Sequence, residues 1–220
     1  MKFFQLEANP REAIGKKAAK MIRKADGIPC ILYGSAPFQL PFEGTLKQGE
    51  KIVEIANKKA VIVTHLAVSK DNVHGLLYTP EAFLVELNIL GSGTVKAIVK
   101  DVQTQPVTDE IIHIDFQEIF EDKPIDMDIP VVLEGHSEGV KAGGKLSLEM
   151  RKLKVRALYK DLPEKLVVDI TELGLGKTIQ VGALQYDKLE LINAANAVVC
   201  AVKLTRAARG AAAAAAASSK

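Results

Sequence analysis

Six cations, Arg11, Lys16, Lys17, Lys20, Arg23 and Lys24, crowd the stretch from Arg11 to Asp26, against two acids, Glu12 and Asp26. From Ile14 the apolar residues Ala18, Met21, Ile22 and Ala25 recur at helical spacing. That spacing predicts a helix with one buried stripe and leaves Lys16, Lys17, Lys20 and Lys24 in solvent. Gly27 and Pro29 end the helix, and the apolar run Cys30-Ile31-Leu32 predicts a strand that closes on Tyr33. An aromatic beside cations can stack on a base or ribose while the cations hold phosphates, a pattern typical of RNA recognition. Taken alone, a lysine-rich helix face is most often solvated, and a tyrosine at a strand end is most often packing. A second stretch shifts the balance: Lys100-Asp101-Val102-Gln103 followed by Ile111-Ile112-His113-Ile114-Asp115-Phe116. In an extended strand, residues two apart share a face, so His113 and Asp115 point one way while Ile112, Ile114 and Phe116 point into the core. A donor and an acceptor held side by side on a rigid strand can read base edges or ribose hydroxyls. In an anonymous strand the same pair would more often be a surface ion pair of little consequence.

These blocks must be positioned by a mainly β framework. Strands are predicted at Phe3 to Glu7, up to Tyr33, at Ala60 to Val68, Phe83 to Ile89, Thr94 to Val102 and Ile111 to Glu118. Gly91-Ser92-Gly93 makes a hairpin turn, and Asp71 is placed to cap a short helix running to Leu77. Six strands with one main helix suit a small closed or nearly closed β-barrel, which hides strand edges. The interval from 35 to 59 holds Pro37, Pro41, Gly44 and Gly49 and reads as an irregular excursion.

At 220 residues the chain exceeds a typical single domain of roughly 100 to 150 residues, so two domains are expected. The division is placed at 1–120 for the barrel, 121–204 for a second, all-β domain with many glycine turns, and 205–220 for an alanine-rich basic tail. Strands in the second domain are predicted at Ile129 to Leu133, Leu146 to Met150, Leu153 to Leu158, Leu166 to Ile170, Thr178 to Val181 and Ala197 to Val202. The tail has seven consecutive alanines, Ala211 to Ala217, with no apolar face to bury, and is expected to be disordered in the free protein.

Charge is segregated along the chain. Residues 109–130 carry eight acids and one lysine, a belt expected to stay off RNA. Residues 141–160 carry seven cations and one acid, with Lys152, Lys154 and Arg156 alternating along one strand face. That stripe is either solvated or a contact for neighbouring ribonucleic acid or protein.

Catalytic readings fare poorly. His65, His74, His113 and His136 are scattered, and no two stand at metal-ligand spacing on a helix. Gly174-Leu175-Gly176-Lys177-Thr178 ends like a phosphate-binding loop, but Thr171 occupies the position that needs glycine, and the context is β-like. Cys30 and Cys200 lie in apolar runs, as buried free thiols of a reducing compartment do. The expectations are no enzyme, no cofactor, no metal, no small-molecule substrate and no membrane span.

The run of Arg11, Gly15-Lys16, Ile22-Arg23, Gly27-Ile28-Pro29, Leu32-Tyr33-Gly34, Lys100-Asp101-Val102-Gln103, Pro106 and His113-Ile114-Asp115-Phe116 resembles the bacterial large-subunit ribosomal protein L twenty-five family. Pro130-Val131, Gly135, Gly143-Gly144, Leu162-Pro163 and Val168-Asp169-Ile170 resemble the second domain of its long form, also called general stress protein CTC. The resemblance implies a cytoplasmic, ribosome-bound protein whose first domain binds 5S ribosomal RNA at its loop E, in the central protuberance, with neighbouring large-subunit RNA and proteins as further partners. It also implies that the RNA-binding residues are Arg11, Lys16, Lys20, Tyr33, Gln103, His113 and Asp115, with Lys17 beside them. Lys20 stands where arginine is common in the family, and Gln105 where histidine is frequent. Two other classes remain open: a tRNA-interacting module, since the barrel type resembles the anticodon-binding region of glutaminyl-tRNA synthetases, and a stress-induced protein adaptor.

Overall fold

The computed structural model describes residues 1–34, 38–39, 46–55, 59–79 and 81–205. Two compact units divide the chain between Lys123 and Pro124. The first contains strands β1 (Phe3–Pro10), β2 (Gly27–Tyr33), β3 (Phe38–Gln39), β4 (Glu50–Ile55), β5 (Lys59–Ser69), β6 (Leu84–Ile89), β7 (Gly93–Thr104) and β8 (Ile111–Glu118), with helices α1 (Lys16–Lys24) and α2 (Lys70–Leu77). Six strands close a barrel in the order β1, β6, β7, β8, β2, β5, and back to β1. The β1–β6 and β8–β2 pairs are parallel, and the other four are antiparallel. Closure rests on Ala8 to Pro10 of β1 pairing with Leu66 to Val68 of β5, which leaves no barrel edge open.

Alternation explains the interior. Leu6 and Ala8, Ile28, Cys30 and Leu32, Leu66 and Val68, Leu87 and Ile89, and Ile114 and Phe116 all turn inward and are buried. Helix α2 adds Val73 and Leu76 to this core. Its N-cap is Ser69, and Asp71 sits in the first turn, where a carboxylate favours the helix N-terminus without capping it. The expected excursion after Gly34 includes a strand: β4 pairs along β5 from Glu50–Thr64 to Ile55–Lys59. The rest of that interval, outside 38–39, 46–55 and Lys59 at the start of β5, lies beyond the described residues, as does the tail from 206 onward.

The second unit contains β9 (Ile125–Glu134), α3 (Glu138–Lys141), β10 (Lys145–Leu148), β11 (Lys152–Ala157), β12 (Leu166–Asp169), β13 (Thr178–Gln180), a 3-10 turn at Val181–Ala183, β14 (Glu190–Leu191) and β15 (Val198–Lys203). One sheet runs β12-β9-β11-β14 and the other β10-β15-β13. The expected all-β character holds apart from the single turn α3. Ser137 starts that turn, accepting from the Val140 N–H and donating to the Leu173 carbonyl. Gly174 to Lys177 form a turn leading directly into β13. No helix follows it, so the phosphate-loop resemblance has no structural support.

Register explains the two segregated charge runs. Strand β11 lies antiparallel to β9, opposing Arg156 to Asp126 and Lys154 to Asp128. The Arg156 guanidinium donates to both Asp126 oxygens, at 2.7 and 3.2 Å. Much of the basic stripe is thus one side of a cross-strand ladder whose other side is the end of the acidic belt.

Candidate nucleic-acid interface

The outward face of β5-β2-β8-β7 collects the residues singled out in the sequence. On β8, Ile114 and Phe116 are fully buried, so His113 and Asp115 project from the barrel. Their side chains are 16% and 29% exposed, and His113 Nδ1 lies 2.7 Å from Asp115 Oδ1. Both atoms are closed to solvent, which leaves them in close contact with each other within the face. Across β8, Gln103 of β7 opposes His113 and Asp101 opposes Asp115. Strand β7 bulges between Val99 and Asp101, which takes Lys100 out of the ladder and sets Asp101 opposite Asp115.

Tyr33 ends β2 on the same face, two residues beyond Ile31, which pairs with Asp115. Half-burial, with Asp115 and Asp101 nearby, raises the Tyr33 pKa, so the phenol remains a donor at neutral pH. Gly34 follows with φ +144°; a Cβ there would stand 2.9 Å from the Glu118 amide nitrogen. This close approach sets the end of β2 against β8.

Arg11 enters from the other side of the face. Its backbone N–H donates to the His65 carbonyl at 3.0 Å as the chain leaves β1. The guanidinium is half-buried, with Nε and Nη1 closed to solvent and unpaired. Burial pulls its pKa down, Cys30 opposes this, and Arg23 adds to it, yet a guanidinium stays charged. The Cys30 thiol is pushed up to about 12 by burial and is inert.

Helix α1 departs from its expected packing. None of its residues is fully buried, Met21 is 71% exposed, and the preceding Ile14 is 40% exposed. Ala18, Ala19 and Ile22 are half-buried, and the Ile22 side chain sits over Gly27, where a Cβ would stand 2.8 Å away. The helix therefore rests on the start of β2 along a narrow line and cannot cover a whole apolar stripe. Arg23 fastens it to the sheet through Nε donating to the Ile112 carbonyl at 3.1 Å. Lys16, Lys17 and Lys20 stand exposed along the helix.

The fold thus brings Arg11, Tyr33, Gln103, His113 and Asp115 to one face, with the three lysines exposed on the helix that packs against β2. Four further residues belong to the same surface. His65, whose outward direction is readable from the alternation around Leu66 and Val68, pairs with Ile31 in register. Lys51 comes from β4, within the interval that the sequence left irregular. Asp101 depends on the β7 bulge, and Arg23 on the angle at which α1 crosses; the quoted sequence runs contain both, but nothing local places either on this face. Among the described residues no cluster of His, Cys, Asp and Glu could hold a metal ion, and no helix is long and apolar enough to cross a membrane.

Comparison with known proteins assigns the chain to a family. A model described as the Ribosomal L25p family matches residues 6–116, and one described as Ribosomal protein TL5, C-terminal domain, matches residues 124–206. Similar proteins include the large ribosomal subunit protein bL25 of Porphyromonas gingivalis, 57% identical over 211 residues, covering 96% of this chain and 97% of the relative. That of Parabacteroides distasonis is 55% identical over 216 residues, covering 96% and 98%. The chain belongs to the ribosomal L25p family. The bL25 protein of Bacteroides fragilis, 52% identical over 195 residues, covers 89% of this chain and 86% of the relative. With both domain matches present, the chain is a long member of the L25p family, and such ribosomal proteins are structural rather than enzymatic.

Proposed function

We propose that the protein is a structural component of the large ribosomal subunit, in the cytoplasm, and that its barrel binds 5S ribosomal RNA at loop E. The observation that carries this reading is the convergence of Arg11, His65, His113 and Asp115 on one face, with His113 and Asp115 held 2.7 Å apart. Tyr33 and Gln103 extend this face, and the exposed lysines of α1 supply cations for phosphates. An aromatic, a carboxylate, an amide and an imidazole on one rigid sheet can address base edges and ribose hydroxyls, which a regular A-form duplex displays poorly.

The test is a competition titration of the full chain with a loop-E fragment and a regular RNA duplex of the same length. The fragment is expected to win by about tenfold or more, since one well-formed base contact contributes roughly 1 to 3 kcal/mol. Equal affinity for both would overturn loop-E recognition. Co-sedimentation with large subunits in near-equal stoichiometry checks the ribosomal assignment independently.

A further inference from the structure

His65 stands at a junction of three segments. Its N–H donates to the Gly49 carbonyl at 2.9 Å, and its carbonyl accepts from the Arg11 N–H at 3.0 Å. Gly49 has φ +83°, and a Cβ there would come within 3.0 Å of the His65 oxygen and 3.3 Å of the Arg11 nitrogen. Glycine therefore lets the turn before β4 close onto β5 and the end of β1. Leu66 and Val68 point inward, so His65 points outward, and Lys51, opposite Val63, shares that face. The His65 Nδ1 atom is closed to solvent without a partner, as are Arg11 Nε and Nη1. A ligand therefore reaches the imidazole through Nε2.

We propose that Arg11, Lys51 and His65 form an anion site that takes a backbone phosphate of the bound RNA, and that His65 gains a proton as the phosphate seats. This rests on the RNA-binding reading above and adds a residue and a protonation step to it. Three groups face His65 from three elements: Arg11 after β1, Lys51 on β4 and His113 on β8. Nearby acids have other associations. Asp115 lies against His113, and Glu12 accepts from the Gln48 side chain at 3.1 Å. Burial first, then Arg11, Lys51 and His113, hold His65 below its ordinary pKa, so the free protein keeps it neutral at neutral pH. A phosphate placed beside Arg11 and Lys51 reverses that balance. The proton comes from solvent and resides on Nε2, which donates to a phosphate oxygen.

The experiment titrates the full chain with a loop-E fragment across about pH 5.5 to 8.5, at constant ionic strength, for wild type, His65→Gln and Lys51→Ala. Calorimetry in buffers of different ionisation heat counts the protons taken up. Wild type is expected to take up protons near pH 6.5 and to bind less tightly as pH rises. His65→Gln is expected to bind about tenfold more weakly at the acidic end, to differ little at the alkaline end, and to lose most of the uptake. Lys51→Ala is expected to lower the log-salt slope by about one unit at most. NMR titration of the His65 ring in wild type, free and bound, gives the same answer without a mutation: its pKa rises on binding. An unchanged pKa, or undiminished proton uptake in a folded His65→Gln variant, overturns the proposal. Failure of wild type to prefer the fragment at any pH would instead overturn the RNA reading on which it rests.

Discussion

His113 and Asp115 are outward neighbours of the two deepest residues of β8, Ile114 and Phe116, so either can be truncated without opening a cavity. On the proposed reading, His113→Ala and Asp115→Ala should each weaken loop-E binding by roughly ten- to hundredfold, equivalent to about 1 to 3 kcal/mol. Binding to a regular duplex should change far less, and the melting temperature should stay near that of wild type. Equal losses on the two RNAs would show that this pair is structural. Lys16, Lys17 and Lys20 are exposed and assigned to phosphates, so each alanine replacement should lower the log-salt slope by about one unit at most and leave discrimination intact. A slope untouched by all three replacements would mark them as solvated. Glu118 acts through stability alone. Glu118 is half-buried at the end of β8, and burial raises its pKa above the usual carboxylate value. A carboxylate whose folded pKa is raised contributes stability below its unfolded pKa, lost as pH rises through the folded value. Glu118→Gln should therefore melt higher than wild type at pH 7, with the gap closing towards about pH 4. A variant that melts lower at pH 7 would mean that the charged form has a stabilising partner.

Strands are where sequence and structure agree best, for a physical reason. Each of the six barrel strands buries one face, so its alternation is imposed by the core and can be read residue by residue, as with Leu6 and Ala8 or Leu87 and Ile89. What the alternation cannot carry is partnership between strands. The parallel pairing of β1 with β6, and the two extra strands on β5, depend on long-range register that no local pattern encodes. The same limit explains the site. His113 and Asp115 were legible because both lie on one strand, whereas Lys51 and Asp101 join them only through β4 pairing and the β7 bulge. Helix α1 shows the converse error: helical spacing at Ile14, Ala18, Met21 and Ile22 is real, but the strand beneath is too narrow to bury the whole stripe. At this scale Gly34 offers a clean test. Its positive φ and the 2.9 Å approach of a Cβ to the Glu118 amide mean that Gly34→Ala must shift β8. The variant should lose about 1 to 3 kcal/mol in denaturant unfolding. Because Tyr33 precedes it, loop-E binding should fall as well; unchanged stability would show that the β2–β8 contact yields without strain.

The chain's formal charge of +2 conceals an uneven distribution that bears on which part meets RNA. Residues 124–205 hold eleven cations and eleven acids, and in space the register of β9 and β11 sets Asp126 against Arg156, while Lys203 meets Glu149 at 2.7 Å. Residues 1–123 hold fifteen cations and sixteen acids, so the barrel unit carries a formal charge of −1. The remaining three cations, Arg206, Arg209 and Lys220, belong to the tail. Binding by the barrel therefore cannot come from net attraction; it depends on the placement of a few cations, which keeps non-specific affinity low and leaves selectivity to the sheet face. Every proposed RNA contact lies within residues 1–123. That fragment should bind loop E within about threefold of the full chain, because sites without shared partners act nearly additively, and any fall in its log-salt slope should match that caused by removing the tail alone. Residues 124–205 alone should show no preference between loop E and a duplex. Removing 206–220 from the full chain should weaken duplex binding more than loop-E binding, since tail cations can add only sequence-independent attraction. Filter binding of the three fragments beside the full chain decides the matter. A loss of more than about tenfold in residues 1–123, with its melting transition intact, would place part of the loop-E contact in the second unit.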